Sequence, residues 1–540
     1  MKKIIINISL FSALLIAGCT KNFDDINTDP TKASASNFDP NLLLPSGELG
    51  YLSATTGYSG PILFQSMWVQ TFASAIYPGY YSNGDKYVFG GSYLSYQQST
   101  WNNAYNAASY LYEVQNLTKD KPELSNLSGI ALIVELLNIE AVTDTYGDCP
   151  FSQALQAKAG ITAPVYDAQQ DVYNSMLSKL DSVISTLDAS KATPTNDALP
   201  YKGDIAKWKK FGYSLMLRMA MRLTKADAAT AKQYAEKAYA GGTFASNDDN
   251  AYILYDLSDG FTNSNTNALK TTEDYSEVKW GKALIDYLKS TDDPRLSVIA
   301  EVPQTGTTNA ANQSLAGNSD PSVQVGMPNG YDQNGGSTDI SKEPNYPGVA
   351  AADPAISGDK PNVTGKYSRP KTALYLSQNA PAFILTYAQT EFLLAEAAAR
   401  GWNVGATATQ HYANAIAASL QTYSTYNSTG NISASTATAY AASHPLDVSS
   451  MEASLKQINT EYWVLESTIF DFSEAWSNWR RSGYPVLTPV NYTGNFSNAT
   501  IPRRQAYPTG EASTNPANYK AAVSGLSNGD TYTSRVWWDK

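Results

Sequence analysis

Residues 381–420 contain the strongest secondary-structure signal in the chain, and this signal predicts two helices joined by a short turn. Phe383–Arg400 contains only strong or neutral helix formers, with no glycine or proline inside. Its apolar side chains recur every three or four residues, which places them on one face of a helix. Gly401 then ends the helix, and the same spacing resumes at Ala408 for a second helix. Such a pair cannot bury its apolar faces alone, so further helices must pack beside it.

Similar patterns predict these further helices. They are expected at Ile130–Val142, Val172–Leu187, Ile205–Leu223 and Ala226–Ala240, and a shorter one at Val278–Lys289. Residues 301–370 differ, because they are rich in Gly, Ser, Asn, Thr and Pro and therefore predict long loops. No segment indicates a large sheet. The patterns together predict a mainly α fold built from tetratricopeptide-like helical repeats.

The composition argues against several functional classes. A net charge of −11 disfavours a nucleic-acid partner, since binding to phosphates requires a basic surface. Two cysteines and two histidines are too few for Cys/His zinc sites or a disulfide framework. The sequence has no hydrolase, P-loop or dinucleotide-binding motif. Asp332 and Asn334 begin like a calcium loop, but Gly336 occupies the third ligand position. We therefore predict no catalytic residues, no metal and no cofactor.

The N-terminal residues predict secretion and lipid attachment. Two lysines precede an apolar run over residues 4–17, the pattern of a signal peptide that would cover residues 1–18. The run ends in Leu-Ile-Ala-Gly before Cys19, which resembles a bacterial lipobox whose cysteine is acylated after cleavage. The polar residues 19–40 then predict a lipidated tether. The alternative is an ordinary secreted protein with an incidental cysteine. With Cys19 lipidated, Cys149 has no disulfide partner, and we predict a buried thiol.

Several short motifs occur in a defined order over nearly the whole chain after the predicted cleavage site. They are Asn27-Thr28-Asp29-Pro30, Tyr146-Gly147-Asp148-Cys149-Pro150, Asp293-Pro294-Arg295, Gly326-Met327-Pro328-Asn329-Gly330, Tyr387–Gly401, Trp479–Pro485 and Ile501–Pro508. Their order and spacing together resemble the SusD/RagB family of outer-membrane nutrient-binding lipoproteins of Bacteroidetes. The resemblance implies one tetratricopeptide-like α-helical domain over residues 41–540, in which long irregular loops, including the insertion at about 301–370, form the ligand face. It also implies a SusC-like, TonB-dependent transporter as the partner.

The segment 77–85 has the side chains that sugar recognition requires. Neutral sugars bind through aromatic faces, which contact the C–H side of the ring, and through planar polar groups, which bind the hydroxyls. Three tyrosines surround Pro78 and Gly79 and cannot share one helix face. The candidate ligand-binding residues are Tyr77, Tyr80, Tyr81, Asn83 and Asp85, with Tyr331 as a further candidate for the same face. The alternative interpretation is a surface turn whose rings pack on their neighbours.

The function that these features favour is non-catalytic. We expect a lipoprotein that captures oligosaccharides and delivers them to the transporter. Asp24 and Asp25 resemble the acidic export signal of Bacteroidetes surface lipoproteins, so we expect an outer-membrane anchor that faces the cell exterior. Two alternatives stay open. One is peptide capture, which some relatives perform, and the other is a surface glycoside hydrolase, which needs only two carboxylates.

Overall fold

The computed structural model of the protein describes residues 38–90, 93–270, 272–304, 306 and 315–540. The predicted signal peptide and Cys19 lie outside the described residues, as does the predicted tether up to residue 37. Asn41–Lys540 form one compact unit.

Helices dominate this unit, as the sequence predicts. The longer helices are α1 (Leu44–Thr55), α2 (Ser99–Thr118), α3 (Ser125–Tyr146), α4 (Gln169–Thr186), α5 (Ile205–Arg222), α6 (Ala228–Gly241), α7 (Lys282–Ser290), α8 (Tyr387–Ala399), α9 (Ala408–Thr422), α10 (Ala434–Ser443), α11 (Met451–Thr468), α12 (Phe472–Ser482) and α13 (Pro516–Ser524). Shorter helices are Gln65–Trp68, Ser82–Asp85, Tyr93–Gln97, Ser264–Lys270, Thr272–Glu277, Arg295–Ile299, Thr372–Tyr375 and Glu511–Thr514. The helices predicted between residues 130 and 240 are therefore present as α3 to α6.

Helices that are neighbours in the chain pack against each other. Each helix from α1 to α5 contacts the next one in the chain, and so do α8 and α9. Helix α11 packs on both α8 and α12, and α5 contacts α8, which joins the two groups. This successive pairing of helices is the arrangement of tetratricopeptide-like scaffolds, and it confirms the mainly α class.

Helix α3 is the most apolar of the described helices. With its preceding turn, Pro122–Tyr146 has the length and composition of a membrane span, but 83% of its most apolar 18-residue stretch is buried inside the protein. Residues on all sides of the helix pack against its neighbours, including Ile130, Leu137 and Val142. The segment is therefore a core helix.

Short strands complete the described part of the chain. They form two-stranded antiparallel sheets from β1 (Phe72–Ser74) with β3 (Val278–Trp280), β2 (Ala251–Leu254) with β6 (Pro381–Leu385), and β4 (Ala300–Glu301) with β5 (Arg369–Pro370). The predicted helix Val278–Lys289 thus begins only at Lys282, after β3. Gly281 separates β3 from α7, and a Cβ at this position would lie 2.0 Å from the carbonyl oxygen of Gln70.

The predicted hairpin at residues 381–420 is confirmed for its two helices but not for its start. The hydroxyl of Thr386 caps the first turn of α8, which begins at Tyr387. Pro381–Leu385 form β6, so the predicted start at Phe383 is wrong. Phe383 pairs with Tyr252 of β2, and all five residues of β6 are buried. Tertiary contacts of this kind override helix propensity, which is worth only a few tenths of a kcal/mol per residue.

Buried ion pairs connect helices that are distant in sequence. The guanidinium of Arg222 in α5 donates to Asp144 in α3 at 3.1 Å and to Glu474 in α12 at 2.5 Å. Arg481 in α12 donates from Nη1 to Oε1 of Glu396 in α8 at 2.6 Å. All five side chains are at least nine-tenths buried. Because an unpaired buried charge is costly, these contacts fix how the helices pack.

The loop-rich insertion folds onto the helices around a small second core. Met327, Ile340 and Tyr367 from the insertion pack there against Ala73 and Ala75, at and just beyond β1. The described residues between 301 and 370 contain only short elements, which confirms the predicted loops. This small core places residues 328–338 beside the turn that follows β1.

Candidate functional site

Two of the predicted tyrosines project from the turn after β1. The side chains of Tyr77 and Tyr80 are 36% and 48% exposed. The turn is closed by Ser82, whose hydroxyl donates to the carbonyl oxygen of Gly79 at 2.5 Å. Both rings are therefore held at the surface by a short, hydrogen-bonded segment.

Further aromatic rings lie next to these two. The edge of one ring faces the other in the pair Tyr80 and Tyr96, whose centroids are 6.1 Å apart. Tyr96 in turn stacks on Tyr58 at 6.4 Å, and Tyr77 contacts Tyr492 at 5.3 Å. Tyr58 and Tyr96 are only half-buried. The turn thus belongs to a surface with four accessible aromatic rings, those of Tyr58, Tyr77, Tyr80 and Tyr96, which we call the tyrosine face.

The structure corrects the prediction for Tyr81 and Asn83. Both are completely buried. The hydroxyl of Tyr81 lies 3.4 Å from Oδ2 of Asp274, and burial raises the pKa of Tyr81 well above its usual value. Neither amide atom of Asn83 has a hydrogen-bond partner among the described residues. A side chain without exposed surface cannot stack on a ligand, so these residues support the turn from within.

Asp85 is also buried, and it connects the tyrosine turn to the insertion. Its Oδ1 accepts from the backbone N–H of Ser74 at 3.2 Å and from Nδ2 of Asn329 at 2.7 Å. Its Oδ2 accepts from the N–H of Gly330 at 2.9 Å and from Nζ of Lys86 at 3.0 Å. Both oxygens are thus occupied by the protein. Asp85 was predicted to bind ligand hydroxyls, but its position shows that it orders the two loops instead.

Tyr331 is half-buried and borders a cleft of about 480 Å³. Other residues that line this cleft are Gln70, Lys282, Asn329, Thr488 and Asn491. Besides Lys282, the polar side chains that line it are amides and hydroxyls, and no Asp or Glu is among the described residues of the lining. The cleft has the volume of a small-ligand site, with polar groups suited to hydroxyls.

Hydrogen bonds place this cleft beside the tyrosine face. Asn334 donates from Nδ2 to the carbonyl oxygen of Tyr77 at 3.0 Å, and the hydroxyl of Tyr492 donates to Oδ2 of Asp332 at 2.6 Å. Burial alone would raise the pKa of Asp332, but the hydrogen bonds from Tyr492, Asn334 and Thr338 lower it below its usual value. The ionised Asp332 thus holds the insertion loop against the segment that carries Tyr492.

The arrangement suits binding of a neutral ligand. Exposed rings offer faces for the apolar side of a sugar, and the adjoining cleft offers amides and hydroxyls for its polar side. The described residues that line this cleft do not include the pair of carboxylates that a glycosidase requires. Among the described residues, no group of three or more His, Cys, Asp and Glu side chains is arranged to hold a metal ion.

The sequence analysis named Tyr77, Tyr80 and Tyr331 as candidate binding residues, but it did not name Tyr58, Tyr96 and Tyr492, which lie beside them. The missed residues are distant in the chain and meet only in the folded protein. Tyr58 could have been found in the same way as Tyr77, because it lies between Gly57 and Gly60, and glycines are turn residues.

The fold and the exposed face define a binding protein built on helical repeats. The chain belongs to the SusD-like family, whose model, described as "Starch-binding associating with outer membrane", matches residues 63–508. The resemblance inferred from the motifs is therefore confirmed, and the protein belongs to a family that associates with the outer membrane. No curated protein matches the sequence.

Solved structures show the same fold. A chitin-binding protein is 28% identical with a TM-score of 0.75, and the match covers 93% of this chain and 100% of that one. A Bacteroidetes AC2a SusD-like protein is 23% identical with a TM-score of 0.77, over 93% and 100% of the two chains. A chitin-binding SusD homologue from Flavobacterium johnsoniae is 23% identical with a TM-score of 0.71, over 92% and 99%. These similarities confirm the helical tetratricopeptide-like fold.

Proposed function

We propose that this protein is a non-catalytic, cell-surface lipoprotein that captures oligosaccharides and delivers them to a SusC-like, TonB-dependent transporter. The observation that carries the proposal is the tyrosine face with its adjoining polar cleft, in a chain of a family described as starch-binding. The similar structure at 28% identity is named a chitin-binding protein, which also favours a glycan.

The exposed rings of Tyr77 and Tyr80 stack on the apolar faces of successive sugar units. The side chains of Tyr331 and Asn491 have no hydrogen-bond partner among the described residues, so both are available to ligand hydroxyls. Gln70 already donates from Nε2 to the carbonyl oxygen of Thr488 at 2.5 Å, which leaves its Oε1 as an acceptor. These groups are held by the fold before the ligand arrives, which reduces the entropy cost of binding.

The lipid anchor is acylated Cys19, which attaches the protein to the outer membrane with its binding face toward the exterior. Family membership supports the outer-membrane location, and the lipobox-like sequence supports the anchor. Several acyl chains hold a protein firmly at a membrane where one chain does not. Mass spectrometry of membrane-extracted protein tests this point. An unmodified Cys19, or cleavage at another residue, contradicts it.

Delivery to the transporter follows from confinement in one membrane. Two proteins anchored in the same leaflet meet at a raised effective concentration, so a modest interface suffices. Extraction from cells in mild detergent, followed by affinity purification, should recover a large outer-membrane β-barrel together with this chain. Repeated recovery of the lipoprotein alone from sugar-grown cells counts against the partnership.

The binding proposal is tested by incubating the purified protein with labelled starch and chitin oligosaccharides and, in parallel, with labelled peptides. Retention of intact oligosaccharides supports it. Release of shorter products indicates a glycoside hydrolase instead, and retention of peptides but not of sugars indicates a peptide-binding protein. For the variant Tyr80→Ala, which removes a ring of the tyrosine face, Tyr110→Ala serves as a matched control. Tyr110 on α2 is 38% exposed but lies outside the tyrosine face and its cleft.

A further inference from the structure

A second cleft, of about 370 Å³, lies on the helical scaffold, and its described lining residues all differ from those of the first. It is bordered by the first turns of α2, by the segment that follows α3, and by the short helix Glu511–Thr514. Its volume again falls in the range of small-ligand sites.

Aromatic rings with fixed orientations form one side of this second cleft. The ring centroids of Trp101 and Tyr105 are 5.0 Å apart, and the ring of Tyr507 meets that of Trp101 edge to face at 5.9 Å. The hydroxyl of Tyr105 donates to the carbonyl oxygen of Pro150 at 2.6 Å. Trp101 keeps 7% of its surface exposed, and Tyr105 is half-buried. The rings are thus rigid but still reachable from the cleft.

Polar groups that the protein does not use face the same cleft. Glu511 accepts a hydrogen bond from the hydroxyl of Tyr166 at 2.5 Å through Oε2, whereas its Oε1 has no partner within the described residues. The exposed side-chain amide of Asn102 likewise has none in the described part of the chain. By contrast, Asn515 donates from Nδ2 to the carbonyl oxygen of Pro164 at 2.7 Å, which holds the two walls together.

We propose that this cleft is a second saccharide-binding site, which takes a single pyranose unit independently of the tyrosine face. The apolar side of the sugar contacts Trp101 and Tyr105. A free carboxylate oxygen of Glu511 accepts from one hydroxyl, and the amide of Asn102, which can both donate and accept, binds another. The choice of a sugar as the ligand rests on the proposed function. Polar atoms without a protein partner that line one cleft together with ordered rings are what a preorganised sugar site requires.

Saturation-transfer NMR with methyl glucoside and N-acetylglucosamine as probes tests the site. Asn102→Ala removes the unpartnered amide, and Glu511→Gln replaces the charged carboxylate by a neutral amide whose oxygen can keep the hydrogen bond from Tyr166, so that a donor stands where the acceptor was. Both changes leave Trp101 in place. Each change should weaken binding of at least one sugar about fivefold, the loss expected for one hydrogen bond. Asn106→Ala, an exposed residue one turn further along α2 that does not line the cleft, should bind like the parent.

A Tyr80→Ala variant separates the two sites. If the Asn102 and Glu511 variants lose sugar binding while Tyr80→Ala retains it, the second site is supported. If only Tyr80→Ala loses binding, the tyrosine face alone binds sugar, the proposed function stands, and the second site is overturned. Absence of sugar binding by the parent overturns the second site as well. Tetramethylammonium is included as a cationic probe, and Glu511-dependent binding of this ion without any sugar would overturn the choice of ligand.

Discussion

Tyr80 and Tyr81 are adjacent in the chain, yet their replacement by alanine should have opposite effects. The Tyr80 ring is 48% exposed, and the Tyr81 ring is completely buried in the main core. Truncation of a large buried ring costs about 3–5 kcal/mol, because transfer energy is lost and a cavity remains. Tyr81→Ala should therefore lower the free energy of unfolding by that amount. Tyr80→Ala should stay within about 0.5 kcal/mol of the parent, as surface substitutions usually do.

Ligand binding should follow the reverse order. Loss of one stacking ring costs about 1–3 kcal/mol, by analogy with stacking of bases on aromatic side chains. This corresponds to a dissociation constant about 5- to 150-fold higher for Tyr80→Ala. The folded fraction of Tyr81→Ala should bind like the parent, since its side chain has no surface to offer a ligand.

Denaturant titration measures the stabilities, and calorimetry with an oligosaccharide that binds the parent measures the affinities. Tyr81→Phe keeps the ring and removes only the hydroxyl, whose contact with Asp274 is long at 3.4 Å. It should cost no more than about 1 kcal/mol, the scale of one net hydrogen bond. The reasoning is refuted if Tyr81→Ala is as stable as the parent, or if Tyr80→Ala binds the oligosaccharide with parental affinity.

Three further predictions concern the scaffold. Arg222→Ala leaves two buried carboxylates of α3 and α12 without their cation. The free energy of unfolding, measured by denaturant titration, should fall by about 3–5 kcal/mol. A decrease below about 1 kcal/mol would contradict the buried pairing. Burial alone would raise the pKa of Glu396, but Arg481 and a second arginine lower it to about 2 from 4.5. The stabilisation by the ionised Glu396 is therefore complete above the unfolded pKa and is lost as the pH falls toward 2. Glu396→Gln should reduce the dependence of the unfolding free energy on acid pH. An unchanged pH dependence would argue against the lowered pKa of Glu396. Burial raises the pKa of the Cys149 thiol to about 12, so a thiol reagent should label the Cys19→Ser protein only on unfolding, and rapid labelling of the native protein would show that this thiol is accessible.

The sequence by itself determined most of the helical scaffold. Helix periodicity is a local property, so the helices α3 to α6 and the pair α8 and α9 could be recognised from spacing and end signals alone. The start of the hairpin could not be recognised from these local signals. Phe383 has acceptable helix propensity, but its partner in β2, Tyr252, lies more than a hundred residues away in the chain. Propensity differences of a few tenths of a kcal/mol are smaller than the gain from pairing and burying a strand.

The same distinction applies to the binding face. Composition and turn residues located a tyrosine-rich loop, and the structure confirms that Tyr77 and Tyr80 are exposed. Only the tertiary structure decided that Asp85 is a support rather than a ligand contact, because its hydrogen-bond partners Asn329 and Gly330 come from the distant insertion. Burial of a side chain depends on every segment that packs over it. Local sequence specifies which groups a loop carries, whereas long-range packing decides which of them face the solvent.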